Sequence, residues 1–426
     1  MNRHLIPAVG LIALGLLAAR EAEAGTKYGI YDARTLAMGG ASVASAVNDN
    51  ALFYNAALLA FNEDIEENTR DSRILLPIIA PQLSESAFDV EDVSSRDLPD
   101  DIGRAVDAFN ANPDATTAQA VVDAAAELDV LARDLQGEDL FGDVYVGLAI
   151  SEPGRHQGAG FFLGTRVLGG GATGVTDADL ALLDTYQEGL LFVASGGTQG
   201  AARPELFDAN GALIDPNPDF DSTVEATGAA IIEVGVALST QAELFGHSTA
   251  IGAAFKMQQV ETFEDVERLV DDRIDVDRNE ETEVDFNIDL GLAKNFGEHW
   301  RLGLAVKDAI PYNYETSLGT KIRLRPRPRF GAAYRRGPVQ LAIDADLIGN
   351  EPLGSEAMTQ ELAAGAEWAI GSGLKLRGGY RLDLRGERAG ILSGGVGAVW
   401  KRLAVDVAYA QGPDARAAAL QIGFVF

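Results

Sequence analysis

The chain has 426 residues, of which 64 are acidic and 34 basic, giving a formal charge of −30. Such a field repels polynucleotides and excludes nucleic-acid partners. The absence of cysteine excludes disulfides, thiol catalysis and lipid attachment through an N-terminal cysteine, and a chain of this size needs no covalent staple to form a core.

Arg3 and His4 precede an apolar run over residues 5–19, and Ala22 and Ala24 flank Glu23 in a small-x-small pattern. This predicts a secretory signal over residues 1–24, with Gly25 opening the exported chain. The apolar run is short for a membrane-spanning helix, and no later stretch is apolar for long enough without charge. An exported chain without a spanning helix is either a water-washed β protein or a barrel whose hydrophobicity lies in short alternating segments. The 47 glycines suit close strand approach and tight turns. An aromatic content of 7% is modest for lipid-facing girdles and weighs the other way.

Residues 25–70 carry small side chains without a strand period and are read as a plug or inner lining, although a soluble protein uses such a stretch as helix and turn. The first predicted strand is 73–84, where Pro77 and Pro81 make a poor central strand of the later half. The period then changes. Asp100 and Asp101 are placed to cap a helix over 102–109, Pro113 breaks it, and Ala120, Val121, Ala124, Ala125, Leu128, Leu131 and Ala132 fall on helical spacing within 116–135. A helical insertion over 98–136 follows, whose apolar face must pack on the plug, the mouth or a partner. Strands are predicted at 143–151 and 158–168, then a long loop over 169–222, in which 189–194 is read as a further strand or a lining helix. Alternation resumes at 223–240, 248–262, 283–294, 300–309, 321–335, 338–347, 360–370, 374–383, 390–399, 401–410 and 417–426.

These make about fourteen strands. Even parity returns both barrel ends to one side, and short turns alternate with long acidic connections, as in bacterial outer-membrane barrels. Within the strands, Leu341, Ile343, Ala345 and Leu347 oppose Asp344 and Asp346, and Leu403, Val405, Val407 and Tyr409 oppose Asp406. In a barrel these acids face a wet interior. In the last strand Ile422, Phe424 and Phe426 alternate with Gln421, Gly423 and Val425, an ending common among such barrels and also compatible with a half-buried soluble strand. The expected fold is an all-β transmembrane barrel over 71–426, with an N-terminal luminal plug and a helical insertion.

Met38, Gly39 and Gly40 within 37–44, then Asp49, Asn50 and Ala51, then Asn55, Ala57 and Leu59 within 54–60, carry a family likeness. They resemble the outer-membrane hydrophobic-compound transport superfamily of long-chain fatty-acid channel type. Those channels have a Gly-Ala-rich segment, an Asp-Ala pair and an Asn-Pro-Ala-Gly-Leu run. Ala56 stands in place of that proline and Leu58 in place of that glycine, which departs from a faithful fatty-acid hatch. The opening over 29–40 and the inserted helices look more like a second branch, the TraF-like conjugal-transfer barrels. The motif-level part is about thirty residues. The resemblance implies a monomeric barrel, passive uptake of a hydrophobic or amphipathic small molecule, and a plug whose small residues near Asn55 permit a local shift.

Lys321, Arg323, Arg325, Arg327 and Arg329 occupy alternate positions, which on one strand form a basic stripe. Its expected setting is the lumen, either paired with Asp344, Asp346 or plug acids, or guiding an anionic headgroup. Pro326 and Pro328 remove ladder donors there and predict a bulge or gap in the wall. Asp271, Asp272, Asp275 and Asp277 offer hard oxygen ligands for calcium, but no complete calcium loop is present and a solvated acidic loop is the plainer reading. His156, His247 and His299 sit at separate predicted turns without ligand spacing, and neither a nucleophile elbow nor a phosphate loop is present. No enzyme activity and no cofactor are expected. The expected surroundings are outer-membrane lipid and lipopolysaccharide. The leading expectation is a channel. Its alternatives are a structural or interaction barrel of an envelope assembly with a protein partner, related to conjugal transfer or export, and a soluble periplasmic β protein.

Overall fold

The computed structural model describes residues 23–24, 26–47, 49–61, 73–88, 98–244, 247–269, 280–351, 353–354, 357–371 and 373–426. Fourteen strands close into one barrel: β1 (Arg73–Ser84), β2 (Asp139–Glu152), β3 (Gln157–Gly174), β4 (Thr223–Leu244), β5 (His247–Arg268), β6 (Glu281–Phe296), β7 (Trp300–Lys307), β8 (Arg327–Arg336), β9 (Val339–Asp346), β10 (Glu361–Ile370), β11 (Leu374–Asp383), β12 (Ile391–Trp400), β13 (Leu403–Gln411) and β14 (Ala415–Val425). Each pairs antiparallel with its sequence neighbours, and β14 closes on β1. No edge is left to aggregate, and every ladder group has a partner strand. Pro77 of β1 is accommodated by register shifts on both sides of the strand, between Leu75 and Ile78 against β2 and opposite Gln421 and Gly423 of β14, while Pro81 stays in register opposite Val144.

One end of the barrel carries tight turns. Gly297, Gly337, Gly371 and Lys401 adopt positive φ there, the conformation that closes a two- or three-residue hairpin. The other end carries the long connections, and β3 to β6 run 18, 22, 22 and 16 residues toward it. A tilted strand needs only about 9–11 residues to cross a bilayer, so these four rise as a palisade beyond the rest of the wall.

The outside of the barrel is an apolar belt. Val146, Leu163, Val236, Phe255, Leu290, Leu341, Ile343, Val396, Val407 and Leu420 all point outward and are more than a third exposed. The few aromatic residues are concentrated at its rims: Trp300, Trp368 and Trp400 stand exposed at the turn end, and Tyr380 and Tyr409 toward the loop end. This placement explains why a low aromatic content still supplies interface anchors.

Two sequence expectations need correction. The long loop 169–222 contains a helix, Asp177–Ala194, capped by the Thr176 side chain at Asp179 N–H. It packs with the inserted helices Leu98–Ala111 and Ala115–Leu135, burying Ile102, Val106, Phe109, Val121, Leu128, Leu183, Tyr186 and Leu190 together. The insertion therefore finds its apolar partner in the next long connection and forms a three-helix cap at the loop end. The predicted strand 321–335 is two elements. Lys321–Leu324 pairs with Tyr312–Glu315 as a separate hairpin, and β8 begins only at Arg327. Pro326 has no N–H to give a ladder, so strand pairing is interrupted there. The hairpin folds onto the inner face of the palisade, where Tyr314, Ile322 and Leu324 bury against Leu168, Ala229, Ile231 and Val260.

Candidate functional site: the filled lumen

The described residues of the segment 26–61 lie inside the barrel. Nearly all of them are buried, and their polar groups bond to strands on opposite walls. Short elements make up the plug: the helices Ala33–Ala37 and Ala51–Tyr54 and the 3-10 turn Ala56–Ala60. Asp32 caps the first by accepting from Thr35 N–H, and Asn50 Nδ2 donates to the same carboxylate. The chain enters near the loop end, where Arg327 Nη1 donates to the Thr26 and Lys27 carbonyls, and leaves near the turn end, where the Leu59 carbonyl accepts from Gly154 N–H.

The wall is shaped to admit plug backbone directly. A Cβ on Gly379 would overlap Gly39 N and Met38 C, and one on Gly252 would overlap the Ala56–Ala57 peptide. Gly303 and Gly365 meet the Val43 and Met38 carbonyls in the same way, whereas Gly395 faces only the Ala37 methyl of the plug. Gly252 stands opposite Gly291, Gly303 opposite Gly331, and Gly365 opposite Gly379. The lumen thus has a collar of paired glycines, and close backbone approach is what only glycine permits.

Polar groups fix the plug within this collar. Asp344 Oδ2 accepts from Ser42 N–H at 2.6 Å and Val43 N–H at 2.8 Å. Ser393 Oγ accepts from Gly39 N–H and donates to the Ala37 carbonyl. Met38 and Ala57 are fully buried, and Gly39 and Gly40 both take positive φ beside the wall. Asn55 is a joint: its Nδ2 donates to the Val43 carbonyl at 2.8 Å and the Leu292 carbonyl of β6 at 3.0 Å, while its Oδ1 accepts from Ala57 N–H. These bonds oppose the local shift expected around Asn55. Asp49 lies lower, 3.7 Å from Arg73.

Charge in the lumen is paired in two groups. Toward the loop end, Lys256 is fully buried and its Nζ reaches Glu233, Asp289 and Asp308 at 2.8, 3.0 and 2.6 Å. Lys307 donates to Asp289 and to the Phe53 carbonyl, Arg327 bonds Asp308, and Arg166 clasps Asp143 and the Lys27 carbonyl. Toward the turn end, Arg34 and Arg377 share Glu367, and Arg377 also holds Asp406. Back on the loop-end side, Arg329 lies between Asp346 at 3.3 Å and Glu361 at 3.6 Å, with its guanidinium over the Tyr28 ring. Between these groups an apolar and aromatic cluster joins Tyr28, Tyr31, Phe53 and Tyr54 of the plug to Tyr145 and Phe162 of the wall.

Of the five residues read as one basic stripe, only Arg327 and Arg329 lie on β8 with their side chains buried in the lumen. Lys321 is exposed, Arg323 bonds Glu351, and Arg325 bonds the Tyr312 carbonyl and Asn313. The alternation spans a chain break at Pro326, so it does not build one face. Asp344, Asp346 and Asp406 are buried among luminal partners. The calcium candidates Asp271, Asp272, Asp275 and Asp277 lie outside the described residues. Among the described residues no group of three His, Cys, Asp or Glu side chains is placed to hold a metal. Sequence reasoning missed Lys256, Glu233, Asp289 and Asp308. Lys256 alternates in step with Ala254 and Gln258 on β5, and such a lysine among inward positions of a long strand was the available signal.

Residues 52–346, more than half of the chain, match the family model described as F plasmid transfer operon, TraF, protein. Among solved structures, the chain is similar to the P. putida toluene transporter TodX at 12% identity and a TM-score of 0.45, covering 94% of this chain and 98% of that one. It is similar to a Pseudomonas aeruginosa FadL homologue at 11% identity and a TM-score of 0.47, covering 94% and 98%. It is also similar to the Ralstonia pickettii toluene transporter TbuX at 10% identity and a TM-score of 0.36, covering 93% and 98%. No curated protein matches the chain.

Proposed function

This chain belongs to the F plasmid transfer operon TraF protein family, and we propose that its barrel is an outer-membrane channel for passive uptake of hydrophobic or amphipathic small molecules. The apolar outer belt with tryptophans at one rim and tyrosines toward the other supports a bilayer setting. Tight turns then face the periplasm and the helical cap faces outward.

The observation that carries the reading is the character of the lumen. A water-filled porin has a polar interior, whereas here Tyr28, Tyr31, Phe53, Tyr145 and Phe162 form a buried aromatic cluster midway along it. The plug leaves two cavities of about 290 and 240 Å³ between itself and the wall at the turn end. A solute entering beneath the cap would pass the Arg327 and Arg329 region, cross the aromatic zone as plug side chains yield, and leave through these cavities. The concentration gradient supplies the energy. Purified protein in liposomes is expected to give saturable uptake of an apolar tracer above that of protein-free vesicles. Uptake that stays at the protein-free level would sink the proposal.

A second reading rests on the cap. Its three helices have their own core and expose Val130, Leu191 and Phe192, which suits an interaction barrel within an envelope assembly. Stable copurification of an envelope protein without solute flux would favour that reading.

A further inference from the structure

We propose that the helical cap carries a docking groove for a basic, amphipathic segment of a partner protein. The helix Asp177–Ala194 has two apolar sides. Leu180, Leu183, Tyr186 and Leu190 face the core of the cap, whereas Ala178, Ala181, Leu182 and Thr185 line a groove of about 340 Å³ on its surface. Phe192 follows Thr185 by two helical turns on the same face and stands exposed. A helix apolar on both sides is normally covered on both, and the cap core covers one. The far bank of the groove is fixed in place. Gly189 lets the 203–206 turn close on the helix, since a Cβ there would stand 2.6 Å from Leu206 Cδ1. Phe207 bridges Leu213, Tyr186 Oη donates to the Ile214 carbonyl at 2.6 Å, and Asn110 holds the Leu213 carbonyl and N–H. Buried Leu206 and exposed Ile214 therefore complete the lining. Preformed walls lower the ordering cost of binding. The volume is at the small end of the range of about 300–1,000 Å³ for ligand pockets, which suits a few anchor side chains of an amphipathic helix rather than a domain face.

Charge selects the occupant. Glu205 and Asp219 line the groove, Asp215 adjoins Ile214, and Asp177, Asp184 and Glu188 flank the groove along the helix; all six are exposed. The cap stretches 98–135 and 177–222 hold 17 acids against three arginines and no lysine, so 84 of the 426 residues carry −14 of the formal −30. Those arginines are already committed to acids of the cap: Arg104 to Asp100 and Asp101, Arg133 to Asp129 and Asp184, Arg203 to Glu188 and Glu205. Residues 89–97 and 270–279 lie outside the described residues, and with eight acids and three arginines they deepen the excess. Such a field repels a second copy of this chain and any anionic ligand, and it draws lysines and arginines to both banks. The apolar lining adds the requirement for an apolar face between them.

This deepens the interaction reading of the cap and is tested without solute flux. The barrel in nanodiscs of a zwitterionic lipid is titrated with a fluorescent synthetic helix carrying leucine at i, i+3, i+4 and i+7 and lysine elsewhere, with protein-free discs as the baseline. Saturable one-to-one binding above that baseline is expected. The same residues scrambled to abolish the apolar face should bind about tenfold more weakly, and Ile214→Asn should weaken the ordered peptide about as much. Glu205→Lys with Asp219→Lys should weaken binding further and flatten its dependence on salt. Glu298→Lys, at the turn end, should bind as the wild type does. The substituted side chains are exposed, and unchanged heat-dependent gel mobility verifies that the variants fold. Absence of saturable binding, equal binding of the scrambled peptide, or an unchanged Ile214→Asn titration overturns the assignment. An envelope protein that copurifies with a barrel failing these tests leaves the interaction reading standing and removes the groove from it.

Discussion

Gly379→Val is expected to expel the plug from its seat and turn a closed barrel into a conducting one. The new side chain would have to occupy the position of plug backbone, with Gly39 Cα only 2.8 Å from where Cβ must stand. Backbone held by Ser393 on one side and Asp344 on the other has no flexible end to yield. Overpacking a well-fitted interior ordinarily costs about 1–3 kcal/mol, and here the strand is fixed by ladders on both sides, so the plug is the part that moves. Planar-bilayer recordings should show discrete steps absent from the wild type. Gly394→Val is the control, since the nearest atom to its Cβ is 3.7 Å away. If Gly379→Val stays as silent as Gly394→Val, the collar does not seat the plug.

Lys256→Met should cost the barrel more than any single surface change. Its ammonium is the common partner of Glu233, Asp289 and Asp308. Removing it leaves Asp289 bridged to Lys307, Asp308 bridged to Arg327 and Glu233 bonded to the neutral Gln258 amide, in a site with no solvent exposure at Lys256. Breaking a buried ion pair by deleting one partner typically costs about 3–5 kcal/mol, because the remaining charge is left without compensation. Urea unfolding from vesicles measures the loss. Adding Glu233→Gln to Lys256→Met should recover part of it, and strictly additive effects would show that the pair is not coupled.

Most of the wall was legible in the sequence because a barrel strand needs only a period of two and a turn at each end. Leu341 and Ile343 against Asp344 and Asp346 assign their faces without a structure, and Gly337 or Gly371 mark where the chain reverses. The site was less legible because its contacts are far apart in sequence. Arg34 and Glu367 are 333 residues apart, and no local pattern pairs them. The glycine content was plain, but which glycines face plug backbone depends on register between strands. The basic stripe misled for a specific reason: alternation continues through Pro326 while the ladder does not. The helix Asp177–Ala194 was hidden by Gly189 and a short apolar run, although Thr176 and the spacing of Leu180, Leu183, Tyr186 and Leu190 carry its signal.

The central claim is that this barrel is filled by its own N-terminal segment, seated against a collar of glycines. The absence of cysteine provides a clean background for a cross-link between Ala37→Cys and Gly395→Cys. The Ala37 Cβ lies 2.6 Å from the position a Cβ on Gly395 would take, so a disulfide requires a retreat of about 1 Å to reach its usual Cβ separation. Mild oxidation of intact membranes is expected to join the two residues in nearly every molecule, as read by mass spectrometry of the linked peptides. Two free thiols that both react with a water-soluble maleimide in the folded barrel would contradict the account.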